Sequence, residues 1–537
     1  MPDRWKIVKD HHGDPLQADI LMIHVALLPD GKVMAFAGSQ HNMGYDKAKP
    51  FQSVLWDPDM PDHMTVLPAP KADLFCAGHC MLANGNVLAA GGTYNYDREP
   101  DNPDRPYHFT GISECFIFDW QNKTWSKAAP MTHARWYPTL LPLADGRVLA
   151  ISGHSGPNLP SHEVLETEIY DPAADRWEPA RKTIPELEDT AKFWLFRDIV
   201  PMVYYTRLHG LADGRAFSST ALQVKRRRRT RVLDPVTNRL TTVGPAPRGM
   251  FVPFMRNVYS RANFTSALLP LKPPDYAQHV LIAGGRTARR FDAGAAKGKW
   301  RRAGKRRPYK MRAYATGLLL PDGSVIVAGG GRSEKVARWY CPSSEVGGYD
   351  RDSNPRPERY FADSDTWVVG NGPTDYPPIP RMYHTAAVVL PSGDVLICGS
   401  NKDSQRNVGG GREDHDHHGE DARELRLEIL TPSGMDSPSR IVVPAISPTS
   451  TGYGTPVVVQ SPDAARIQRV TLLRNSTVTH GYSSDQRLLE LVITARTAGS
   501  VTVTTPPTPQ LAIPGYYLLF ALDADGVPSG GQSLCLG

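Results

Sequence analysis

Residues 318–331, LLLPDGSVIVAGGG, contain an apolar run, a Pro-Asp-Gly turn and a second apolar run that ends in glycines. Two short aliphatic runs around such a turn predict a hairpin of two buried β-strands. The pattern recurs through the first four-fifths of the chain. The other copies are ALLPDGKVMAFAGS (26–39), MLANGNVLAAGGT (81–93), LPLADGRVLAISGH (141–154), HGLADGRAFSSTA (209–221), LPLKPPDYAQHVLIAGGR (269–286) and VVLPSGDVLICGS (388–400).

The spacing of these seven copies predicts the architecture. Stretches such as VLWDP (54–58) and EIYDPAADRW (168–177) fall between them and complete four-stranded units. A repeat of about 45 to 70 residues with terminal glycines is typical of kelch-type blades. We therefore expect a seven-bladed β-propeller over residues 1–435, closed so that no long edge strand is exposed.

The pattern changes near residue 436. Residues 436–537 contain apolar strands separated by Pro and Gly turns, which predict a small immunoglobulin-like β-sandwich. The predicted fold class is all-β, and only PELEDTAKFWLF (185–196) has a helical pattern.

Composition excludes several classes of protein. The 537 residues are 40% hydrophobic and 22% charged, as in a globular protein with a large core. No apolar run is long enough to span a membrane. The net charge of +6 is concentrated in KRRRRTR (225–231) and KWRRAGKRRPYK (299–310), outside any recognisable nucleic-acid module. We expect these segments to be solvated loops and expect no nucleic-acid partner.

Six cysteines are too few and too scattered for a disulfide framework. Cys80 and Cys115 either pair with each other or are both free, and the states of Cys341, Cys398 and Cys535 stay open.

The first residues, MPDRWKIVKDHHGD, contain no apolar signal core. Either the protein is made without a secretion signal, as in the cytoplasm, or a signal or anchor was removed. We expect the second case, a secreted or cell-surface protein, and a monomer.

The repeat register also points to chemistry. Equivalent positions of the inner strands of a propeller form a ring around its axis. Counting back nine residues from each turn glycine gives Met22, Cys76, Tyr137, Tyr205, Tyr314 and His384, with Tyr383 directly before His384. The fifth copy lacks the turn glycine and is left out. Cys76 and Tyr137 are thus expected on adjacent blades.

Three tyrosines of this region follow an arginine by two residues, in RWYPT (135–139), RAYAT (312–316) and RMYHT (381–385). Aromatic residues often line propeller channels and a buried cysteine is often a small hydrophobe, so simple packing is the alternative reading.

Tyr137, Tyr383 and His384 are donors suited to copper(II), which prefers nitrogen and oxygen ligands in a tetragonal array. Phenols serve once the metal displaces their protons. A fourth donor must come from elsewhere, and His480 in NSTVTHGYSSDQR (475–487) lies at a predicted turn tip. A solvated turn histidine is the alternative.

Four stretches, in this order, resemble the copper radical oxidase family of galactose oxidase and glyoxal oxidase. They are DLFCAGH (73–79), RWYPT, RMYHTAAVVLPSGDVLICGSN (381–401) and TVTHGYSSDQR (477–487). The resemblance covers nearly the whole chain. The RWYP form, the GSN triplet and LRLEILTP (425–432) are more similar to the glyoxal oxidase branch.

The resemblance implies a site and an activity. One copper ion would be bound by Tyr137, Tyr383, His384 and His480. Cys76 would form a thioether with Tyr137, the radical-bearing residue, and Tyr383 would be the axial ligand and general base. The implied reaction is oxidation of small hydrated aldehydes or primary alcohols by O2, which yields H2O2. An oxidase for carbohydrate alcohols such as galactose and a non-catalytic kelch scaffold are the alternatives.

Some features stay open. The aromatic residue that stacks over the thioether in galactose oxidase has no counterpart in GHSGPN (153–158), and four residues are candidates for its place: Trp136, Trp194, Tyr205 and Tyr314. Candidate substrate contacts are Arg261, Arg312 and Tyr314. His415, His417 and His418 belong to EDHDHHGED (413–421), which is either a solvated loop or a metal-capturing one.

Overall fold

The computed structural model describes residues 3–40, 50–95, 110–156, 164–182, 184–185, 204–219, 229–245, 247, 264–284, 287–304, 312, 314–330, 356–370, 376–400, 423–435 and 437–537. Within these ranges the chain is β-structure joined by turns, with one 3-10 segment at Ala464–Arg466. Of the predicted helix over 185–196, only Pro185 is described, and it ends a short strand. The rest lies outside the described residues.

Seven sheets form the blades of a propeller. The chain begins with β1 (Arg4–Ile7) and enters blade one, which contains β2 (His24–Leu27), β3 (Val33–Phe36), β4 (Gln52–Trp56) and β5 (Met64–Pro68). Blade two begins with β6 (Gly78–Met81) and β7 (Val87–Ala90), is interrupted by the ribbon of β8 (Thr93–Asn95) and β9 (Thr110–Gly111), and ends with β10 (Cys115–Asp119) and β11 (Thr124–Ala128). Blade three contains β12 (Thr139–Pro142), β13 (Val148–Ile151), β14 (Glu166–Asp171), β15 (Arg176–Trp177) and β16 (Arg181–Lys182).

The remaining blades repeat this arrangement. Blade four contains β17 (Ile184–Pro185), β18 (Leu208–Gly210), β19 (Ala216–Ser218), β20 (Thr230–Asp234) and β21 (Arg239–Gly244). Blade five contains β22 (Thr265–Leu268), β23 (His279–Ala283), β24 (Arg289–Asp292) and β25 (Arg301–Arg302). Blade six contains β26 (Thr316–Leu319), β27 (Val325–Ala328), β28 (Glu358–Phe361) and β29 (Thr366–Val369), and blade seven contains β30 (Thr385–Val389), β31 (Val395–Gly399) and β32 (Glu428–Thr431).

The first strand of the chain closes the ring of blades. β1 pairs antiparallel with β32, so blade seven has the order β1-β32-β31-β30. The outer edge of β32 is therefore covered by a strand from the opposite end of the propeller sequence, which closes the ring. The seven-bladed propeller predicted from the repeat is confirmed.

The hairpin turns explain why the repeat is recognisable. Residues of the two inner strands, such as Val325–Ala328 in β27, are buried, and aliphatic residues fill both faces. The turn glycines have φ between +83° and +89°, for example +89° at Gly323 and +84° at Gly146. This left-handed conformation is open to glycine and costly for most other residues.

The C-terminal part is a separate all-β unit. Its strands are β33 (Ala445–Ser447), β34 (Ser450–Thr451), β35 (Pro456–Gln460), β36 (Arg469–Arg474), β37 (Thr477–Thr479), β38 (Leu488–Arg496), β39 (Ser500–Thr504), β40 (Gly515–Leu522) and β41 (Gln532–Leu536). Eight of them form one path, β33-β35-β39-β38-β36-β40-β41-β34. β38 pairs with β36 through residues 488–491 and with β39 from Val492 onward, with an irregularity between Ile493 and Ala495, so this long strand connects the two halves of the sandwich.

β37 does not join that path. It pairs antiparallel with β2 and extends blade one into the channel of the propeller. Polar side chains of the C-terminal unit bind carbonyl oxygens near the hairpin turns of the blades. Arg474 binds that of Met81 (3.1 Å), Thr471 that of Pro321 (2.8 Å) and Arg487 that of Gly210 (2.6 Å). These contacts fix β37 relative to the channel.

The cysteine question is settled for the described residues. Cys80 and Cys115 are both buried and do not form a disulfide, and Cys398 and Cys535 are also free. Burial raises the pKa of the Cys115 thiol to about 12, so it stays protonated and unreactive. Cys341 lies outside the described residues.

No helix in the described part of the chain has the length and apolarity needed to cross a membrane. Secretion, the monomeric state and the domain boundary at residue 436 stay predictions.

Candidate metal centre

The ring positions inferred from the repeat share an unusual backbone. Five of them have left-handed φ angles: +62° at Cys76, +63° at Tyr137, +43° at Tyr205, +60° at Tyr314 and +67° at His384. Such values are rare for residues with bulky side chains and cost about 1–3 kcal/mol each. Backbone bonds join neighbours around the ring, since Tyr137 N–H donates to the Cys76 carbonyl (3.0 Å) and Tyr205 N–H to that of Tyr137 (2.9 Å). Cys76 and Tyr137 are therefore neighbours on adjacent blades, as expected.

Buried ion pairs hold three of these positions. The arginine two residues before Tyr137, Tyr314 and Tyr383 lies inside its own blade, against a glutamate on the third strand. The pairs are Arg135 with Glu168 (2.9 Å), Arg312 with Glu358 (3.6 Å) and Arg381 with Glu428 (2.6 Å). The side chain of Arg312 also donates to the carbonyl of Gly329 (2.6 Å) and is fully buried. Arg312 is thus a support of blade six, and the suggestion that it contacts substrate is wrong.

Tyr383 and His384 directly precede β30 and are not part of it. In a regular strand two adjacent side chains point to opposite faces. The left-handed φ of His384 breaks that alternation, and the two rings lie with centroids 3.8 Å apart and an interplanar angle of 32°. Both side chains therefore reach the same side of the chain.

His480 occupies a tight turn at the end of β37. Thr479 and Tyr482 exchange backbone hydrogen bonds (3.0 Å each), and the residues between them, His480 and Gly481, have φ of +53° and +69°. Positive φ at both central positions is characteristic of a type I′ hairpin turn, which favours glycine at its second central position. The turn carries His480 into the channel, where it is 3% exposed, so the solvated alternative is wrong.

The four predicted ligand side chains converge there. The ring centroid of His480 lies 4.6 Å from that of His384, 5.1 Å from Tyr137 and 5.3 Å from Tyr383. The hydroxyls of Tyr137 and Tyr383 are hydrogen-bonded to each other. Cys76, fully buried, belongs to the same apolar cluster as Tyr137.

The donor set fits a copper(II) ion, because two imidazoles and two phenol oxygens provide the nitrogen and oxygen ligands that it prefers. Thr479 Oγ1 lies 2.6 Å from Nδ1 of His480, so Nε2 is the nitrogen available for a metal. A partner on the second ring nitrogen is the usual way in which a protein orients a ligand imidazole.

Other aromatic residues surround Tyr137. The Trp136 ring centroid lies 3.9 Å from that of Tyr137, at 49°, and that of Tyr205 lies 4.5 Å away, at 62°. Tyr204, which the sequence did not suggest, lies 5.9 Å from Tyr137. Tyr314 instead packs against Tyr383, at 5.3 Å. Trp136 is thus best placed to cover Tyr137, and Tyr314 to border Tyr383.

Tyr205 differs from the converging tyrosines. Its hydroxyl donates to the carbonyl of Ala77 (2.8 Å), and burial raises its pKa well above the ordinary value. It therefore stays a neutral phenol that fixes the geometry between blades two and four.

The sequence also did not single out two buried histidines near the site, His24 and His79. The ring of His24 lies 6.2 Å from His480 and edge-on to His79 at 5.1 Å. Burial lowers the pKa of His79 to about 4, and burial, aided by His79 and His384, lowers that of His24, so both imidazoles are neutral. Nε2 of His79 bonds to the carbonyl of Val25 (3.2 Å).

Several predicted features fall on undescribed residues, and the structure says nothing of them: Trp194, Arg261, His415, His417 and His418. Among the described residues, no group of three or more His, Cys, Asp or Glu side chains has the arrangement of a metal site. The candidate centre therefore depends on its two tyrosines as well as its two histidines.

An all-β chain with a seven-bladed propeller, and a C-terminal domain that inserts a histidine into its channel, defines a narrow class of protein. A model of the galactose oxidase-like early set domain matches residues 440–535. Galactose oxidase of Gibberella zeae is 26% identical over 482 residues, which cover 86% of this chain and 61% of that protein. This chain thus spans about three fifths of the length of that relative.

Two further comparisons agree. Aldehyde oxidase GLOX1 of Arabidopsis thaliana is 26% identical over 510 residues, 86% of this chain and 71% of that protein. A solved structure described as a "novel fungal alcohol oxidase with catalytic diversity among the AA5 family, in complex with copper" has a TM-score of 0.73 with 17% identity and full coverage of both chains, which shows the shared fold. These similarities support the resemblance to the copper radical oxidase family of galactose oxidase and glyoxal oxidase.

Proposed function

We propose that the protein is a mononuclear copper radical oxidase that oxidises small hydrated aldehydes or primary alcohols with O2. The observation that carries the proposal is the convergence of Tyr137, Tyr383, His384 and His480 in the channel, with Cys76 on the adjacent blade. Galactose oxidase and an aldehyde oxidase are similar to the chain to the same degree, which supports an oxidase without favouring either substrate.

The residues would divide the metal-binding task. His384 and His480 would supply nitrogen donors, with Nδ1 of His480 held by Thr479. Tyr137 and Tyr383 would supply phenol oxygens, and the hydrogen bond between their hydroxyls would stabilise the phenolate form of whichever one ionises first.

Oxidation of an alcohol to an aldehyde removes two electrons and two protons, and O2 takes up both to give H2O2. A copper ion held by Tyr137, Tyr383, His384 and His480 would supply an acceptor for one of these electrons, and an oxidised Tyr137 would be the acceptor for the other. A thioether from Cys76 on the Tyr137 ring would spread the unpaired electron and make that oxidation easier.

Tyr383 suits the role of general base. It is 8% exposed, against 2% for Tyr137 and 1% for His384, so it is the donor nearest to solvent. A phenolate there would take the proton of the substrate hydroxyl, provided that the two oxygens come within hydrogen-bond reach. Tyr314, packed at 5.3 Å from Tyr383, would form one wall of the substrate site.

Copper-loaded, oxidised protein tests the proposal directly. We expect broad visible and near-infrared absorption from a ligand radical and a mass lower by two hydrogens, as required by a thioether between Cys76 and Tyr137. Cys76→Ser should abolish both signals. Cys398→Ser is the matched control, because Cys398 is also buried in a blade but belongs to blade seven's second strand.

A panel of glyoxal, methylglyoxal, glycolaldehyde and galactose, read by coupled H2O2 detection, would rank the substrates. A copper-loaded protein with neither the radical absorption nor the mass change would contradict the proposal and favour a binding scaffold.

A further inference from the structure

Arg207 lies two residues after the ring position of blade four, and its side chain is 1% exposed. The other arginines beside the ring, Arg135, Arg312 and Arg381, each face a glutamate. Arg207 forms no ion pair with any residue that the structure describes. A buried charge without a counter-charge is destabilising, and such residues are concentrated at functional sites.

Two of the three side-chain contacts of Arg207 are with the turn that carries His480, and the third is with Tyr205. Its Nη2 donates to the carbonyl of His480 (3.5 Å) and its Nη1 to that of Tyr205 (3.2 Å). The guanidinium carbon lies 4.4 Å from the ring centroid of Tyr482, within cation–π distance. Tyr482 closes the turn through its backbone bonds with Thr479, so Arg207 contacts both the tip and the closing residue.

The charge of Arg207 persists at neutral pH. A guanidinium group is not deprotonated in proteins, even where it is buried. The guanidinium therefore stays protonated, close to two tyrosines of the ring region and to the backbone of a predicted metal ligand.

We propose that Arg207 is a positioning residue of the metal centre, which fixes the His480 turn and, through its uncompensated charge, raises the reduction potential of the Tyr137 radical. The second half of this inference rests on the proposed function. One-electron oxidation of Tyr137 makes the centre more positive. Arg207 is hydrogen-bonded to Tyr205, whose ring lies 4.5 Å from that of Tyr137, and its fixed positive charge opposes that change. The radical is then harder to form and a stronger oxidant.

Two substitutions separate the geometric part from the electrostatic part. Arg207→Lys keeps the charge but cannot bind two carbonyls with a planar fork, and Arg207→Met removes both. In metal-free protein we expect amide hydrogen exchange of the 479–482 turn to be at least tenfold faster in both variants than in the wild type. Exchange at the wild-type rate in both would overturn the anchoring role.

The charge is tested by spectroelectrochemical titration of the copper-loaded protein. Arg207→Met should favour formation of the radical at least tenfold, which is about 59 mV for a one-electron couple. Arg207→Lys should titrate close to the wild type. Equal shifts in the two variants, or no shift in Arg207→Met, would overturn the electrostatic role.

Arg487 provides a matched control. It is also buried, forms no ion pair within the described ranges, and has a pKa lowered by burial to about 10. Its bonds to carbonyls of Gly210 and Leu511 (2.6 Å each) lie at the junction of blade four and the C-terminal domain. Arg487→Met should lower the unfolding temperature without changing the titration.

The two proposals fail in different ways. Lack of a ligand radical in the wild-type protein would overturn the proposed function and, with it, the effect on the potential. The exchange measurement needs neither copper nor a radical, so it would still decide whether Arg207 anchors the turn.

Discussion

Replacing Arg381 by methionine should destabilise the protein strongly, because it leaves the Glu428 carboxylate buried without its counter-charge. The Arg381 and Glu428 side chains are 2% and 0% exposed and lie 2.6 Å apart. Arg381 also donates to the carbonyls of Gly399 and Arg426. Removal of one partner of a buried pair costs about 3–5 kcal/mol. We expect a loss of that size in the free energy of unfolding at pH 7.

The pH dependence gives the prediction a second test. Burial raises the pKa of Glu428 above its ordinary value of 4.5, although Arg381 acts in the opposite direction. Without Arg381 that pKa rises further, and the native state then binds a proton that the unfolded state has released. Stability falls as pH rises in that range, so the variant should lose less stability at pH 5 than at pH 8.

Urea unfolding at both pH values measures these losses. An unchanged dependence of the unfolding free energy on urea concentration checks that unfolding stays two-state. Arg147→Met is the control, since Arg147 and its two carboxylate partners, Asp145 and Glu178, are 34%, 49% and 34% exposed, and we expect it to cost less than about 1 kcal/mol. Addition of Glu428→Gln to Arg381→Met should restore at least about 1 kcal/mol. A loss below about 1 kcal/mol in Arg381→Met, or no recovery in the double variant, would refute the argument.

Three further substitutions test the site. Thr479→Val removes the partner of His480 Nδ1 (2.6 Å), so copper(II) affinity should fall about 10–100-fold in a competition titration, while Thr479→Ser should keep it. Gly481→Ala forces a Cβ to 2.8 Å from a backbone carbonyl of blade six at φ +69°, so the unfolding temperature should fall even without copper; an unchanged value would mean that the turn can rearrange. Trp136→Leu uncovers the Tyr137 ring (3.9 Å), so the radical absorption should decay faster at unchanged copper content, and an equal decay rate would assign the cover to another residue.

The register of the repeat was enough to predict the propeller and the adjacency of Cys76 and Tyr137, since both follow from counting back from a turn glycine. It could not predict that Tyr383 and His384 converge, because that depends on the left-handed φ of His384. Nor did the adjacent arginines reveal their role, since their glutamate partners are on strands more than thirty residues away, as with Arg135 and Glu168.

Arg207 could have been identified from the sequence by extending the count two residues beyond each ring position. The residues two positions after each ring position form a second level. Each of them pairs with the residue five positions after the turn glycine of the same copy. The fifth copy has no turn glycine, and its member is identified by its strand pairing. Members of this level are His24, Gly78, Thr139, Arg207, Thr265, Thr316 and Ala386. Two basic side chains stand out there, and both lie near His480 in the structure.

The placement of His480 joins assembly of the fold to assembly of the site. β37 extends blade one by pairing with β2, so His480 enters the channel only when the C-terminal unit has docked on a closed propeller. Tyr383 and His384 lie at the start of blade seven, which is itself completed by β1. A metal bound by all four side chains would therefore bridge blade three, blade seven and the C-terminal domain, and by mass action would stabilise the docked state over the undocked one. Copper binding should consequently slow proteolysis between the propeller and the C-terminal domain, and should fail to do so in His480→Ala.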